Sequence, residues 1–123
     1  MKPKHFFLLI LFISFIGISC NKEKTYEVRY EVETNSPIST LITWTTSTEG
    51  ISGGTLYYLD WNNYNEVYKY TFSGPEGMDI YFSGMNTWIS NDAYVKIRLY
   101  IDNTLTVSAE GSQGAEAEIN YTL

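Results

Sequence analysis

The chain has 123 residues, with 14 acidic and 8 basic side chains, one histidine (His5) and one cysteine (Cys20). Beyond Cys20 this leaves no material for a disulfide framework, a His/Cys zinc centre, or a Ser-His-Asp or Cys-His catalytic arrangement. The acidic balance also excludes nucleic-acid binding through clustered Lys and Arg.

Lys2, Lys4 and His5 give a basic start, followed by fourteen uncharged residues at 6–19. A basic region, a short apolar region and small residues before a cut describe a secretory signal peptide. Fourteen residues fall short of the ~20 that span a bilayer as a helix, so an export signal is expected here rather than a membrane anchor. Gly17-Ile18-Ser19-Cys20 resembles a bacterial lipobox. Ser19 fits the small residue before the cut, and Gly17 stands where leucine is usual. The resemblance implies cleavage before Cys20 and a diacylglycerol on its sulfur. Each buried methylene adds ~0.8 kcal/mol of membrane affinity, so two or three acyl chains hold durably where one does not. Residues 1–19 are therefore expected to be the signal, residues 20–24 the lipidated cysteine and a short polar tether, and residues 25–123 the folded domain. The Lys22-Glu23 pair resembles the export signals of surface lipoproteins in Bacteroidota. The expected location is the bacterial cell envelope, on the outer membrane. Cleavage would leave six basic and fourteen acidic residues, a net charge of −8. That charge disfavours contact with anionic lipid and favours solubility.

From residue 25 onward the chain reads as strands. TYEVRYEVE (25–33) alternates, with Tyr26, Val28, Tyr30 and Val32 on one face and Glu27, Arg29, Glu31 and Glu33 on the other, the mark of a half-buried strand. STLITWTT (39–46) is β-branched and follows as a strand, with Trp44 in the core. STEGISGG (47–54) reads as a loop. TLYYLDW (55–61) and EVYKYTFS (66–73) read as strands around a turn at Asn62-Asn63-Tyr64-Asn65. MDIYFSGM (78–85) is a strand and NTWISND (86–92) a loop. YVKIRLYI (94–101) turns inward Val95, Ile97, Leu99 and Ile101. Asp102-Asn103 makes a two-residue hairpin turn. TLTVSAE (104–110) is expected to point Leu105, Val107 and Ala109 inward. Residues 111–114 turn again, and AEAEINYTL (115–123) alternates to the end. Seven to eight strands at roughly ten-residue spacing, with no helical period, predict one all-β domain: an antiparallel, immunoglobulin-like β-sandwich.

The order TYEVRYEV, ITWT, LDW, DIYFSGMN, VKIRLYIDNTL and AEAEINYTL is similar to that of the small MmpS-type membrane-anchored β-sandwich proteins and of short Bacteroidota lipoproteins. Trp61 follows Asp60 where those proteins have proline, and Asn103 stands where their hairpin has glycine. The resemblance implies a sandwich near a membrane. Members in mycobacteria are accessory partners of lipid and siderophore exporters, and carry a membrane helix and a cysteine pair that residues 21–123 lack. Fold likeness alone does not transfer function.

Acid–base chemistry would fall to carboxylates. Asp60 and Glu66 flank one turn, Glu76 and Asp79 another, and such pairs can cleave glycosides when suitably spaced. Solvated turn acids are the plainer reading. Asn91, Asp92 and nearby carbonyls could offer oxygens to Ca²⁺, without the ligand alternation of an EF-hand. No catalytic residue, cofactor or metal is assigned. Aromatic residues are the stronger lead. Tyr57, Tyr58, Trp61, Tyr64, Tyr68 and Tyr70 crowd one region. Trp61, Tyr64 and Trp88 lie at or near turns, where aromatic side chains serve as binding anchors. Cross-strand pairing, worth ~0.2–1 kcal/mol per pair, is the plainer reading of these aromatics, and an exposed binding surface at Trp61, Tyr64 and Trp88 is the alternative. The expected function is a non-enzymatic envelope lipoprotein that presents an interaction module. Its partners would be the membrane, through Cys20, and an envelope protein such as a transporter. A glycan-binding surface and a carboxylate hydrolase are the alternatives.

Overall fold

The computed structural model describes residues 23–46 and 50–123. The expected signal and Cys20 lie outside the described residues, as do Asn21 and Lys22 of the tether. Among the described residues nine strands form: β1 (Thr25–Thr34), β2 (Thr40–Thr46), β3 (Gly50–Thr55), β4 (Asn62–Tyr64), β5 (Val67–Pro75), β6 (Asp79–Asn86), β7 (Tyr94–Ile101), β8 (Thr104–Ser112) and β9 (Glu116–Thr122). Short 3-10 turns occupy Pro37–Ser39 and Leu56–Tyr58. One sheet has the order β4-β5-β1-β7-β8 and the other β3-β2-β6-β9. All pairings are antiparallel. The expected β-sandwich is the fold, with nine strands in place of seven or eight.

The alternation read in β1 places Val28, Tyr30 and Val32 in the core, facing Ile42, Ile80 and Phe82 of the other sheet's strands. Val95, Ile97 and Leu99 are likewise fully buried. The opposite face of β1 carries charge across the sheet. Glu33 meets Lys96 at 3.8 Å and Arg98 at 3.7 Å. Glu31 is buried even though it faces outward. Arg29 donates to it at 2.8 Å, and the Arg29 guanidinium lies 4.2 Å from the Tyr100 ring centre.

Several local expectations are corrected. Gly50–Thr55, of which residues 50–54 read as part of a loop, is an edge strand paired to β2. Its glycines carry no side-chain pattern for a period to show. TLYYLDW, read as a strand, turns as a 3-10 helix at Leu56–Tyr58, and the chain there crosses from one sheet to the other. Asn62–Tyr64, read as a turn, pairs with β5, and the hairpin turns at Asn65 and Glu66, both at positive φ. Leu105 is exposed. A register shift lets Leu99 face Val107 and Tyr100 face Leu105, so Thr106 is the extra residue of a β-bulge. A bulge turns the residues beyond it to the other face. Val107 and Ala109 still pack on the core. Ile101, read as inward, is half-buried and packs against the core as well. The last turn is tighter than expected, at Gln113 and Gly114, because β8 runs to Ser112. Gly111 is buried within it, where any Cβ would collide with the Ala115 carbonyl.

The centre of the core is aromatic. Tyr30 lies 4.5 Å from Phe82 and 5.6 Å from Phe72, ring centre to ring centre. Its hydroxyl donates to the Thr45 carbonyl at 3.0 Å and so ties the two sheets together. Burial pushes the Tyr30 phenol well above its ordinary range. An acid whose folded pKa is raised keeps its proton after the unfolded chain has lost it. The stabilisation is therefore complete below pH ~10, the unfolded tyrosine value, and is lost as pH rises beyond it. Urea midpoints are expected to fall above pH ~10 by up to ~1.4 kcal/mol per pH unit. Tyr30→Phe should flatten that fall and cost about 1–2 kcal/mol at neutral pH.

Candidate functional site

The two poles of the sandwich are chemically different. β1 enters at one pole, where the Lys24 carbonyl accepts from Glu76 N–H at 2.9 Å and the Leu123 carbonyl accepts from Gly77 N–H at 2.7 Å. The Asp102-Asn103 turn lies at this same pole, with Asp102 N–H donating to Glu27 O. Ten residues of β1 at about 3.3 Å each set the far pole roughly 30 Å away. Glu76, Asp79 and Asp102 lie at the entry pole, with Lys24 beside them.

At the far pole, the turn after β1, the start of β2 and the β6–β7 loop are held by a polar knot. Thr34 and Thr40 hydroxyls meet at 2.7 Å. Asn86 is buried, and its amide nitrogen lies 2.9 Å from Asn35 Oδ1, 3.0 Å from the Tyr94 carbonyl and 3.2 Å from Thr34 Oγ1. Asn35 Nδ2 donates to the Asp92 carbonyl at 2.7 Å, and Asn35 Oδ1 accepts from Tyr94 N–H at 3.1 Å. These bonds satisfy buried polar groups that would otherwise cost stability. They also aim Trp88, because Asn86 Oδ1 accepts from the Trp88 backbone N–H at 3.0 Å.

The expected site residues divide. Trp61 is only 7% exposed and is corrected from surface anchor to core residue. The 3-10 turn before it brings its ring inward, within 5.1 Å of Trp44 and 5.6 Å of Tyr70. Trp44 is core, as read. Tyr64 is exposed on β4, with the Lys69 ammonium 5.4 Å from its ring centre. Trp88 is 44% exposed and Ile89 is fully exposed beside it. Tyr64 and Trp88 share the far pole but stand apart. Tyr64 is at the β4 edge, whereas Trp88 lines a cleft against the turn that follows β8, the opposite edge of the sheet. The structure adds Thr87, Asn91, Gln113 and Gly114 to Trp88 in a cleft of about 510 Å³. Reading along the chain could not join these residues, because the two walls come from separate segments. A second hollow of about 650 Å³ lies at the entry pole, between Met78, Ile80, Tyr81 and Ile51.

Asp60, Glu66, Glu76 and Asp79 are all exposed, and Asp79 accepts from the Thr122 hydroxyl at 2.8 Å. Among the described residues, no group of three or more His, Cys, Asp or Glu side chains could hold a metal ion. In the Trp88 loop, Asp92 is the one carboxylate, and its carbonyl is already bonded to Asn35. No helix among the described residues is long and apolar enough to cross a membrane. No protein-family model and no curated protein matches the sequence.

Beside the cleft one path across the far pole carries no charged side chain, although Asp92 and Glu66 are exposed elsewhere at that pole. Thr87 donates to the Ser39 carbonyl through both its backbone N–H and its hydroxyl, at 2.8 Å each. The Pro37–Ser39 turn in turn contacts Leu56–Tyr58. Ile38, Tyr57 and Tyr58 are exposed along this path, and no Asp, Glu, Lys or Arg occurs in residues 35–46, 50–59 or 80–91. Large exposed side chains on an uncharged stretch stand out on a protein this acidic.

Proposed function

We propose that this protein is a lipid-anchored, non-enzymatic binding module of a bacterial cell envelope, with its recognition end at the pole opposite the anchor. The observation that carries this reading is the polarity of the sandwich. β1 begins only five residues after Cys20, at one pole, while Trp88, Ile89, Ile38, Tyr57, Tyr58 and Tyr64 are exposed at the other. A tether that short keeps the entry pole beside the bilayer, and the carboxylates there disfavour flat contact with anionic lipid. The far pole is then held out toward the envelope space. A rigid frame with exposed aromatic residues at its tip suits binding.

Docking onto an envelope protein, including a transporter, is a second reading. It is favoured by the uncharged path through Ile38, Tyr57 and Tyr58. Large aromatic residues with few charges are what the centre of a protein interface contains.

The anchor is tested by fractionating cells that express the native chain or Cys20→Ser. The native protein is expected to sediment with membranes and to leave only with detergent, and Cys20→Ser to lose that property. Release of the native chain by a carbonate wash, or retention of a Cys20→Ser chain whose mass shows that residues 1–19 have been removed, would overturn the lipid anchor.

A further inference from the structure

We infer that the cleft between the β6–β7 loop and the Gln113–Gly114 turn is a binding site for a neutral saccharide, with a sugar ring stacked on Trp88. This deepens the reading of the far pole as the recognition end, but it does not depend on the lipid anchor.

Three observations converge on the cleft. The first is its lining. Ser90, Asn91 and Gln113 bring a hydroxyl and two amides to the cleft beside Trp88, Thr87 keeps acceptor capacity because its hydroxyl donates to Ser39, and no ionisable side chain is among the lining residues. Amides and hydroxyls both donate and accept, which matches sugar hydroxyls that do the same. A charged ligand would find no counter-charge in this lining, and an anion would also be repelled by a protein of this net charge. A pyranose has an apolar C–H face and a polar rim, and this is the pattern of one aromatic plate edged by amides.

The second observation is that the cleft is preformed. The two walls are tied by Gln113 N–H donating to the Ala93 carbonyl at 2.9 Å. Within the loop, Ser90 N–H donates to the Trp88 carbonyl at 2.9 Å and Ala93 N–H to the Ser90 carbonyl at 3.2 Å. Gln113 and Gly114 hold positive φ, of 55° and 82°, which closes the opposite turn tightly. A site whose walls are already bonded loses little ordering entropy when a weak ligand enters.

The third is scale. A cleft of about 510 Å³ falls within the ordinary range for small-ligand pockets, roughly 300–1,000 Å³, and is small against a protein–protein footprint.

The test uses the full lipidated chain in a sugar-free zwitterionic detergent. The probes are neutral tetrasaccharides of glucose, mannose, galactose, xylose and N-acetylglucosamine. The readout is the indole N–H resonance of Trp88, assigned by its loss in Trp88→Phe. At least one tetrasaccharide is expected to shift that resonance saturably. Read by titration calorimetry, which does not need the indole signal, Trp88→Ala is expected to weaken binding roughly tenfold, and Asn91→Ala to weaken it while leaving the spectrum of the core unchanged. The proposal is overturned if none of the five moves the Trp88 resonance at millimolar concentration. It is overturned equally if Trp88→Ala binds as tightly as the native chain, or if a capped leucine tripeptide binds there and the sugars do not. The last result would make the cleft a protein-docking site. Because fractionation of Cys20→Ser reports only on the anchor, the two proposals can fail separately.

Discussion

Trp61→Ala is expected to destabilise the protein by about 3–5 kcal/mol, read as a drop in the urea midpoint. Trp61 stacks on Tyr70 at 5.6 Å and on Tyr30 at 6.3 Å, meets Trp44 edge-on at 5.1 Å and lies 6.1 Å from Phe82. Truncation would empty the centre of this cluster, and strands on both sides could collapse only partly into the space. Trp61→Phe should lose much less. The Trp61 indole N–H is buried without a hydrogen-bond partner, as is that of Trp44. Phenylalanine keeps a ring in place and removes one of these unsatisfied donors. A Trp61→Ala protein with native stability, but altered binding at the surface, would contradict the assignment of Trp61 to the core.

The second large effect is expected at Asn86. Asn86→Ala should cost about 3 kcal/mol or more, because several buried groups lose their partner at once. Thr34 and the Tyr94 carbonyl would each lose a bond, Asn35 would lose one of its anchors, and the Trp88 N–H would lose its acceptor. Stability is half of the expectation. Loop order is the other half. Amide hydrogen exchange in residues 87–92 should accelerate beyond what the loss of global stability accounts for. Exchange in β7 should follow global stability alone. Unchanged exchange in the loop would show that Asn86 fills space without aiming Trp88.

How much of this was legible depended on whether a residue's role is set by its near neighbours in the chain. β1, β7 and β9 pair an apolar face with a polar one, so period two reveals them and the sandwich with them. β3 has no such face, since its glycines leave only Ile51, Ser52 and Thr55 to carry a pattern. Residues 56–58 have strand-like composition yet turn, because the chain must pass there from one sheet to the other. That turn reversed the reading of Trp61, as the Thr106 bulge reversed that of Leu105. Among the site residues, Trp88 was visible as an aromatic residue in a loop. Asn86 was not, because its importance comes from Thr34, Asn35 and Tyr94, which only the folded chain brings to it. Gln113 was invisible as a site residue for the same reason.

The proposed orientation requires a lipid on Cys20. The most direct measurement is the intact mass of the protein extracted from its native membrane. The predicted mass is that of a chain beginning at Cys20, plus a diacylglyceryl group and any further acyl chain on its amine. A chain that retains residues 1–19, or one cut elsewhere with a free Cys20 thiol, would contradict the anchor and with it the orientation of the two poles.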